Sequence, residues 1–529
     1  MINFRHSSTA TAEMAIYFRE PDRRQLALLP ADMMDWLPEV DIVRLIVDAV
    51  SLMKLTAFRK EYKVGKAGNA PFEPRVLLSL LIYAYSTGIR SSRVIERLCW
   101  RDAGFRFIVG DHITDHTVIA RFRKRHVANM ETLFVEVLKL CREAGLIKLG
   151  VVSLDGTKIK ANASLEANRT VKTIEDEIAA MMKDAEAVDA REDGLFADKA
   201  GDELPKALVK ASNRKARLME CKKKLEAKAA AVAARQQEKI EARAAEEQAT
   251  GRRKRGRKPK PADPTIDPDT VANVTDPDSE MMKTRRGFVQ GYNAQAVVTE
   301  NQIILGADVT TQANDINQLE PMLNQAQANV EVVVGEDASI GVVLADAGYC
   351  SEANLDAETV DRELLIATKK NHKQRAAQRD ANPPRGRKPK NMTARQRMDQ
   401  KLATKRGREL DRLRGQTVET VFGQMKCCQD AGQFAMRGLE PCRGEWKLQA
   451  AVHNIRKLHR ESVRKAESTR KWRRRGRVHR FSAGRQGLSV AIFDFATGSR
   501  VWPNSTASRG EICVWFTLSL RYQVITVET

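Results

Sequence analysis

Hydrophobic residues recur every three or four positions from residue 22 to about 144, as in Val43-Ile46-Val47-Val50 and Val76-Leu77-Leu80-Leu81, the spacing of one face of an α-helix. The pattern predicts a compact helical domain. Its last part, residues 91–126, holds two helical runs around a loop at Gly110-Asp111, the outline of a helix-turn-helix reader. Near residue 147 the period changes. Residues 147–159 partly alternate and are rich in β-branched side chains, which predicts a half-buried strand carrying Asp155. Two Ala-, Lys- and Glu-rich stretches follow, 171–191 and 206–249, with Gly194, Gly201 and Pro205 between them. They predict an antiparallel helical pair without a strong Leu or Ile seam. Residues 251–278 turn Pro-, Asp- and Lys/Arg-rich, the composition of a flexible linker. Strands are predicted over 288–299 and 302–309, joined as a hairpin through Glu300-Asn301, then a helix over 319–328 and a short strand over 342–345 that ends at Asp346. A basic stretch, 369–405, precedes helices predicted over 417–428 and about 446–459.

At 529 residues the chain exceeds what one core usually supports, so two or three domains are expected. Lys and Arg outnumber Asp and Glu by 90 to 68, a formal charge of +22, which calls for a polyanionic partner. Nucleic acid fits better than a membrane surface. The apolar stretch 76–89 is interrupted by Ser79, Ser86 and Thr87 and falls short of the roughly 20 residues of a spanning helix. No apolar segment follows a basic start within residues 1–10, so a cytoplasmic address is expected. The eight cysteines form no C-x-x-C and join no His cluster, which argues against a structural zinc or a disulfide frame.

Three carboxylates fall on separate predicted elements. Asp155 lies in Val151-Val152-Ser153-Leu154-Asp155-Gly156-Thr157, where Asp-Gly is equally a turn signal. Asp346 ends Val343-Leu344-Ala345, at a strand end where ligands gather or where a helix cap would stand. Glu419 sits beside an apolar stripe of Val418, Val421, Phe422 and Met425, and Lys426 returns to its side two turns later. A lone helical Glu is otherwise usually solvated. Hard oxygens converging from separate elements are what two-metal phosphodiester chemistry requires. The run Arg121, Arg123, Lys124 and Arg125 is a DNA-contacting face or a solvated one.

Taken in order, these residues resemble the DDE transposases of bacterial insertion sequences, in the branch with an N-terminal helical domain, over roughly residues 18–460. The resemblance rests on Arg23-Arg24-Gln25-Leu26 with Asp35-Trp36-Leu37-Pro38, on Tyr83-Ala84-Tyr85-Ser86-Thr87-Gly88 with Arg90-Ser91-Ser92, and on Asp115-His116-Thr117-Val118-Ile119-Ala120-Arg121-Phe122-Arg123. It rests equally on Asp155-Gly156-Thr157-Lys158, Gly291-Tyr292-Asn293-Ala294-Gln295, Ala345-Asp346-Ala347-Gly348-Tyr349 and Val418-Glu419-Thr420-Val421-Phe422-Gly423.

The resemblance implies an α/β protein. Its catalytic domain would be RNase H-like with a mixed sheet, spanning 147–460 and interrupted by a helical insertion and linker over 166–286, with an all-α DNA-binding domain over 18–144 ahead of it. It implies that Asp155, Asp346 and Glu419 hold two Mg²⁺ ions, with Mn²⁺ as a substitute, and that Arg414 and Lys426 handle DNA phosphates. The family's arginine stands four residues before the Glu. That place is Gly415 here, with Arg414 one step away, and the family's Tyr position is Arg412. The expected partners are double-stranded DNA, as element ends and target, and further copies of the chain, with no membrane. Two Arg-Gly-Arg-Lys-Pro-Lys segments, with Arg255 and Arg257 in one and Arg385 and Arg387 in the other, are read as phosphate contacts or minor-groove hooks. Residues 466–529 lie outside the resemblance and are assigned no function. Two other readings stay open: a catalytically silent DNA-binding derivative, and a nuclease that cuts without joining.

Overall fold

The computed structural model describes residues 35, 37–62, 71–110, 112–195, 206–253, 256, 258–284, 287–359, 362–369, 392–480, 492–493 and 500–501. The chain divides into two compact units, Met1–Val463 and Arg464–Thr529. In the second unit the described residues are the end of a long helix and an antiparallel pair, Ile492–Phe493 with Arg500–Val501.

Among the described residues the first unit opens with seven helices: α1 (Ile42–Leu52), α2 (Thr56–Lys60), α3 (Pro74–Ser86), α4 (Ser92–Arg101), α5 (Ala103–Val109), α6 (His116–Arg125) and α7 (Met130–Glu143). Their starts follow local chemistry. Asp41, Asp102 and Asp115 each accept the orphan N–H groups of the helix that follows, and Pro74 opens α3. The predicted stripes are the core: Val43, Ile46, Val50, Leu77, Leu80 and Leu81 are buried. Gly110, at φ +61°, ends α5 before the loop to α6.

A six-stranded mixed sheet follows. β1 (Val151–Lys160) is central, antiparallel to β5 (Gly287–Thr299) and parallel to β7 (Val342–Ala345). β6 (Ile304–Thr310) pairs antiparallel with the second half of β5, and β4 (Glu280–Thr284) with its first half. β8 (Glu363–Ile366) extends the far edge, parallel to β7. Helix α10 (Leu319–Val333) packs on β6 and β5 through Leu319, Met322, Leu323, Ala326 and Val330. The segment Leu439–Arg480 is one helix, three times the expected length. Its Trp446 is buried and donates from Nε1 to Gln295 O at 2.9 Å.

Between β1 and β5 in the chain come β2 (Asn168–Thr170), α8 (Val171–Leu195), α9 (Lys206–Thr250) and β3 (Val271–Asn273). α8 and α9 run antiparallel: Glu175 pairs with Lys222 at 2.9 Å and Glu177 with Arg214 at 3.0 Å. The linker expected over 251–278 needs a correction from residue 271 onward. There β3 pairs with β2, Asn273 Oδ1 accepts the N–H groups of Thr275 and Asp276, and the buried Asp276 takes the Tyr292 hydroxyl at 2.8 Å. Composition missed this because polar groups, rather than apolar area, secure the segment. Among the described residues no helix is long and apolar enough to cross a membrane.

Candidate active site

The parallel register sets Leu154 opposite Ala345, so the next residues, Asp155 and Asp346, stand side by side where β7 ends. β7 ends there because Asp346 caps a 3₁₀ turn, Ala347–Tyr349, accepting Gly348 N–H at 2.7 Å. Asp155 accepts Gly156 N–H at 2.7 Å, and its side chain is 16% exposed. Burial, and then the Asp346 carboxylate beside it, push the Asp155 carboxyl up to about 7.

Alternate residues of a strand share a face, and on β1 one face is Ser153, Asp155 and Thr157. Each meets one residue from the segment that carries Glu419. Thr417 Oγ1 donates to Ser153 Oγ at 2.7 Å, Arg414 to Asp155 Oδ2 at 3.0 Å, and Lys426 Nζ to Thr157 Oγ1 at 2.5 Å. The stripe read from the sequence docks this segment, since Val418, Val421, Phe422 and Met425 are all buried. Residues Gly415–Glu419 form a turn of π-helix between the helices Lys405–Arg414 and Thr420–Cys428. Bonding from i to i+5 brings residues five apart onto one side. Arg414 and Glu419 are five apart, and their side chains meet at 2.8 Å. The π-turn thus brings Arg414, five residues earlier, onto the Glu419 carboxylate.

One guanidinium thus spans two acids, half-buried Asp155 and Glu419, whose side chain is 54% exposed. Because Arg414 stands between them, the triad does not draw together as tightly as Glu96, Asp115 and His116 near the start of α6, whose ligand atoms lie within 4.8 Å of one another. In that second group His116 Nδ1 is 2.9 Å from Glu96 Oε2, and Asp115 is already the cap of α6. The triad's donors are hard carboxylate oxygens on three separate elements, and a cation already lies between two of them. That donor set fits a divalent ion. Lys158 and Lys426 flank it, and burial lowers the pKa of each, countered at Lys158 by Asp315, Asp155 and Asp346.

Sequence reasoning missed Asp315. Its Oδ1 accepts from Asn293 Nδ2 at 2.7 Å and Gln295 Nε2 at 2.8 Å. The alternation of Asn293 and Gln295 on one face of β5 was a signal, but their partner sits in a loop that periodicity does not reach.

Of the basic run on α6, Arg121, Lys124 and Arg125 are exposed, with Arg125 over the Tyr62 ring at 5.1 Å. Arg123 turns inward and donates to Tyr85 Oη at 3.1 Å and Arg90 O at 2.9 Å. Its place four residues after buried Ile119 was the signal that separates it from its neighbours. Arg255, Arg257, Arg385 and Arg387 lie outside the described residues.

Two family models match the chain, a Transposase domain (DUF772) over residues 31–125 and a Transposase DDE domain over residues 265–455. The chain belongs to the DDE transposases of insertion-sequence type. No curated protein and no solved structure matches it. A DDE domain implies an RNase H-like fold, with which the mixed sheet of this transposase is consistent. The family implies a DNA substrate and generally uses divalent metals. The DDE match contains Asp346 and Glu419 and begins after Asp155, which joins them through the pairing of β1 with β5 and β7.

Proposed function

We propose that this transposase cuts and joins DNA strands at a centre formed by Asp155, Asp346 and Glu419. The observation that carries the reading is the register that sets Asp155 beside Asp346, with Arg414 linking Asp155 to Glu419. Two Mg²⁺ ions, or Mn²⁺ in their place, would be held by these carboxylates and would supply activation of the attacking oxygen and stabilisation of the leaving one. The chain's own side chains do the rest. Asp155 and Asp346 are fixed by the sheet, and Arg414 is released from the acids to take a DNA phosphate. Lys426, held on the β1 face beside Thr157, offers a second positive charge to the backbone.

The reaction is hydrolysis of a phosphodiester at the element end, which frees a 3′-hydroxyl. That hydroxyl then attacks a target phosphodiester, with no covalent enzyme intermediate. Residues 18–144 bind the element end through Arg121, Lys124 and Arg125 of α6, the catalytic domain spans 147–460, and residues 166–286 are its insertion. The protein acts as a homo-oligomer on DNA at the nucleoid, in the cytoplasm. The test is a labelled element end incubated with target DNA, Mg²⁺ and the intact protein. Covalent joining of label to target supports the reading. Cutting without joining would make the protein a nuclease, and binding without cutting a silent derivative.

A further inference from the structure

We propose that Asp315 is a positioning residue of the same centre, a fourth carboxylate that holds the Asp346 turn and adds its charge behind the Asp155–Asp346 pair. The inference rests on reading those acids as the metal site. Asp315 lies in the loop between β6 and α10, and its Oδ1 is clamped by the amides of Asn293 and Gln295. Gln295 in turn accepts the buried Tyr349 hydroxyl through Oε1. Phenol, amide and carboxylate form one directed chain, which starts at Tyr349 on the turn that Asp346 caps and ends on Asp315.

Two glycines make room for this carboxylate. A Cβ at Gly156, next to Asp155, would stand 2.7 Å from Asp315 Oδ1. A Cβ at Gly348 would stand 3.1 Å from Asp315 Oδ2 and 2.8 Å from Asp346 Oδ1. Contacts that close leave little room for a β-carbon at either glycine, so Asp315 packs against bare backbone next to both acids. Lys158 Nζ, 4.0 Å from Oδ1, is the nearest counter-charge on β1. Held by the two amides, the Asp315 carboxylate stands behind Asp155 and Asp346 and adds to the negative field at the strand end. A dication gains from that field more than any singly charged group does.

The experiment is Mn²⁺ binding by the full-length protein, read by calorimetry and by loss of the free-ion paramagnetic signal, with thermal stability measured alongside. Asp315→Asn keeps an oxygen for the clamp and removes the charge. It is expected to fold and to weaken Mn²⁺ binding about 10-fold or more, as partners behind metal ligands do. Asp315→Ala removes charge and clamp together and is expected to weaken binding further. Wild-type Mn²⁺ affinity in the folded Asn variant, or in the Ala variant should the Asn variant not fold, overturns the proposal and leaves the triad standing. If the wild-type protein itself binds no Mn²⁺, the reading of the triad falls and this one with it.

Discussion

At the C-terminal end of the sheet, Asp155 is withdrawn from water beside Asp346 and held by Arg414, while Thr417 is buried against Ser153. In α8 and α9 the charges are on the outside: Glu175 and Lys222 pair with side chains 49% and 39% exposed. The apolar core there is Val171, Ile174, Leu218, Cys221, Leu225 and Ala272. Exposed pairs of this kind contribute about 1 kcal/mol or less. Two neighbouring, half-buried carboxylates work against folding. The sheet can carry that load because Trp446, Tyr292, Tyr349 and the strand interiors pack around it. The difference teaches that this fold concentrates packing where it also concentrates unfavourable charge, and leaves its helical pair near the margin.

The comparison breaks most readily at Trp446. Trp446→Ala removes the ring that packs near Phe422 and the donor to Gln295 O. It is expected to destabilise by about 3–5 kcal/mol, seen as a fall in the denaturant midpoint together with loss of cleavage. A smaller and local effect is expected from Leu218→Ala, at about 2–3 kcal/mol. Hydrogen exchange should quicken in α8 and α9 while the sheet amides stay protected. Loss of protection throughout would show that the two regions share one cooperative unit.

The smallest effect concerns pH. His453 is held down to about 3, first by burial and then, against the Gln302 carbonyl that favours its charge, by Lys457, Arg456 and Arg460. The folded pKa lies below the unfolded value of about 6.5, so protons bind the unfolded chain first. This contribution is complete above that value. It is lost as pH falls, by at most about 1.4 kcal/mol per unit. His453→Gln should flatten the fall in thermal midpoint between pH 7 and pH 5, and an unchanged slope would remove His453 from the account.

Much of the site was legible because it lies on periodic elements. The alternation around Asp155 and the short apolar run before Asp346 are β1 and β7, and the Val418 stripe docks the Glu419 segment as expected. What escaped depends on contacts between distant residues. The π-turn that brings Arg414 to Glu419 leaves no mark in a 3.6-residue pattern. Asp315, in a loop, takes its place from two amides on β5. β8 is a short strand with an apolar run at Leu364, Leu365 and Ile366 and little flanking signal, and β4 pairs on the same side of β5 as β6. Arg123 looks like its basic neighbours until Tyr85 and the Arg90 carbonyl are placed beside it.

The most direct test of the central claim is Mg²⁺-dependent cleavage of element-end DNA by the wild-type protein against Asp155→Ala, Asp346→Ala and Glu419→Ala, with DNA binding measured in the same samples. The account predicts that all four proteins bind DNA alike and that each variant loses cleavage by about 100-fold or more. Wild-type cleavage by any of the three variants, or a wild-type protein that binds DNA and never cuts it with Mg²⁺ or Mn²⁺, would contradict it.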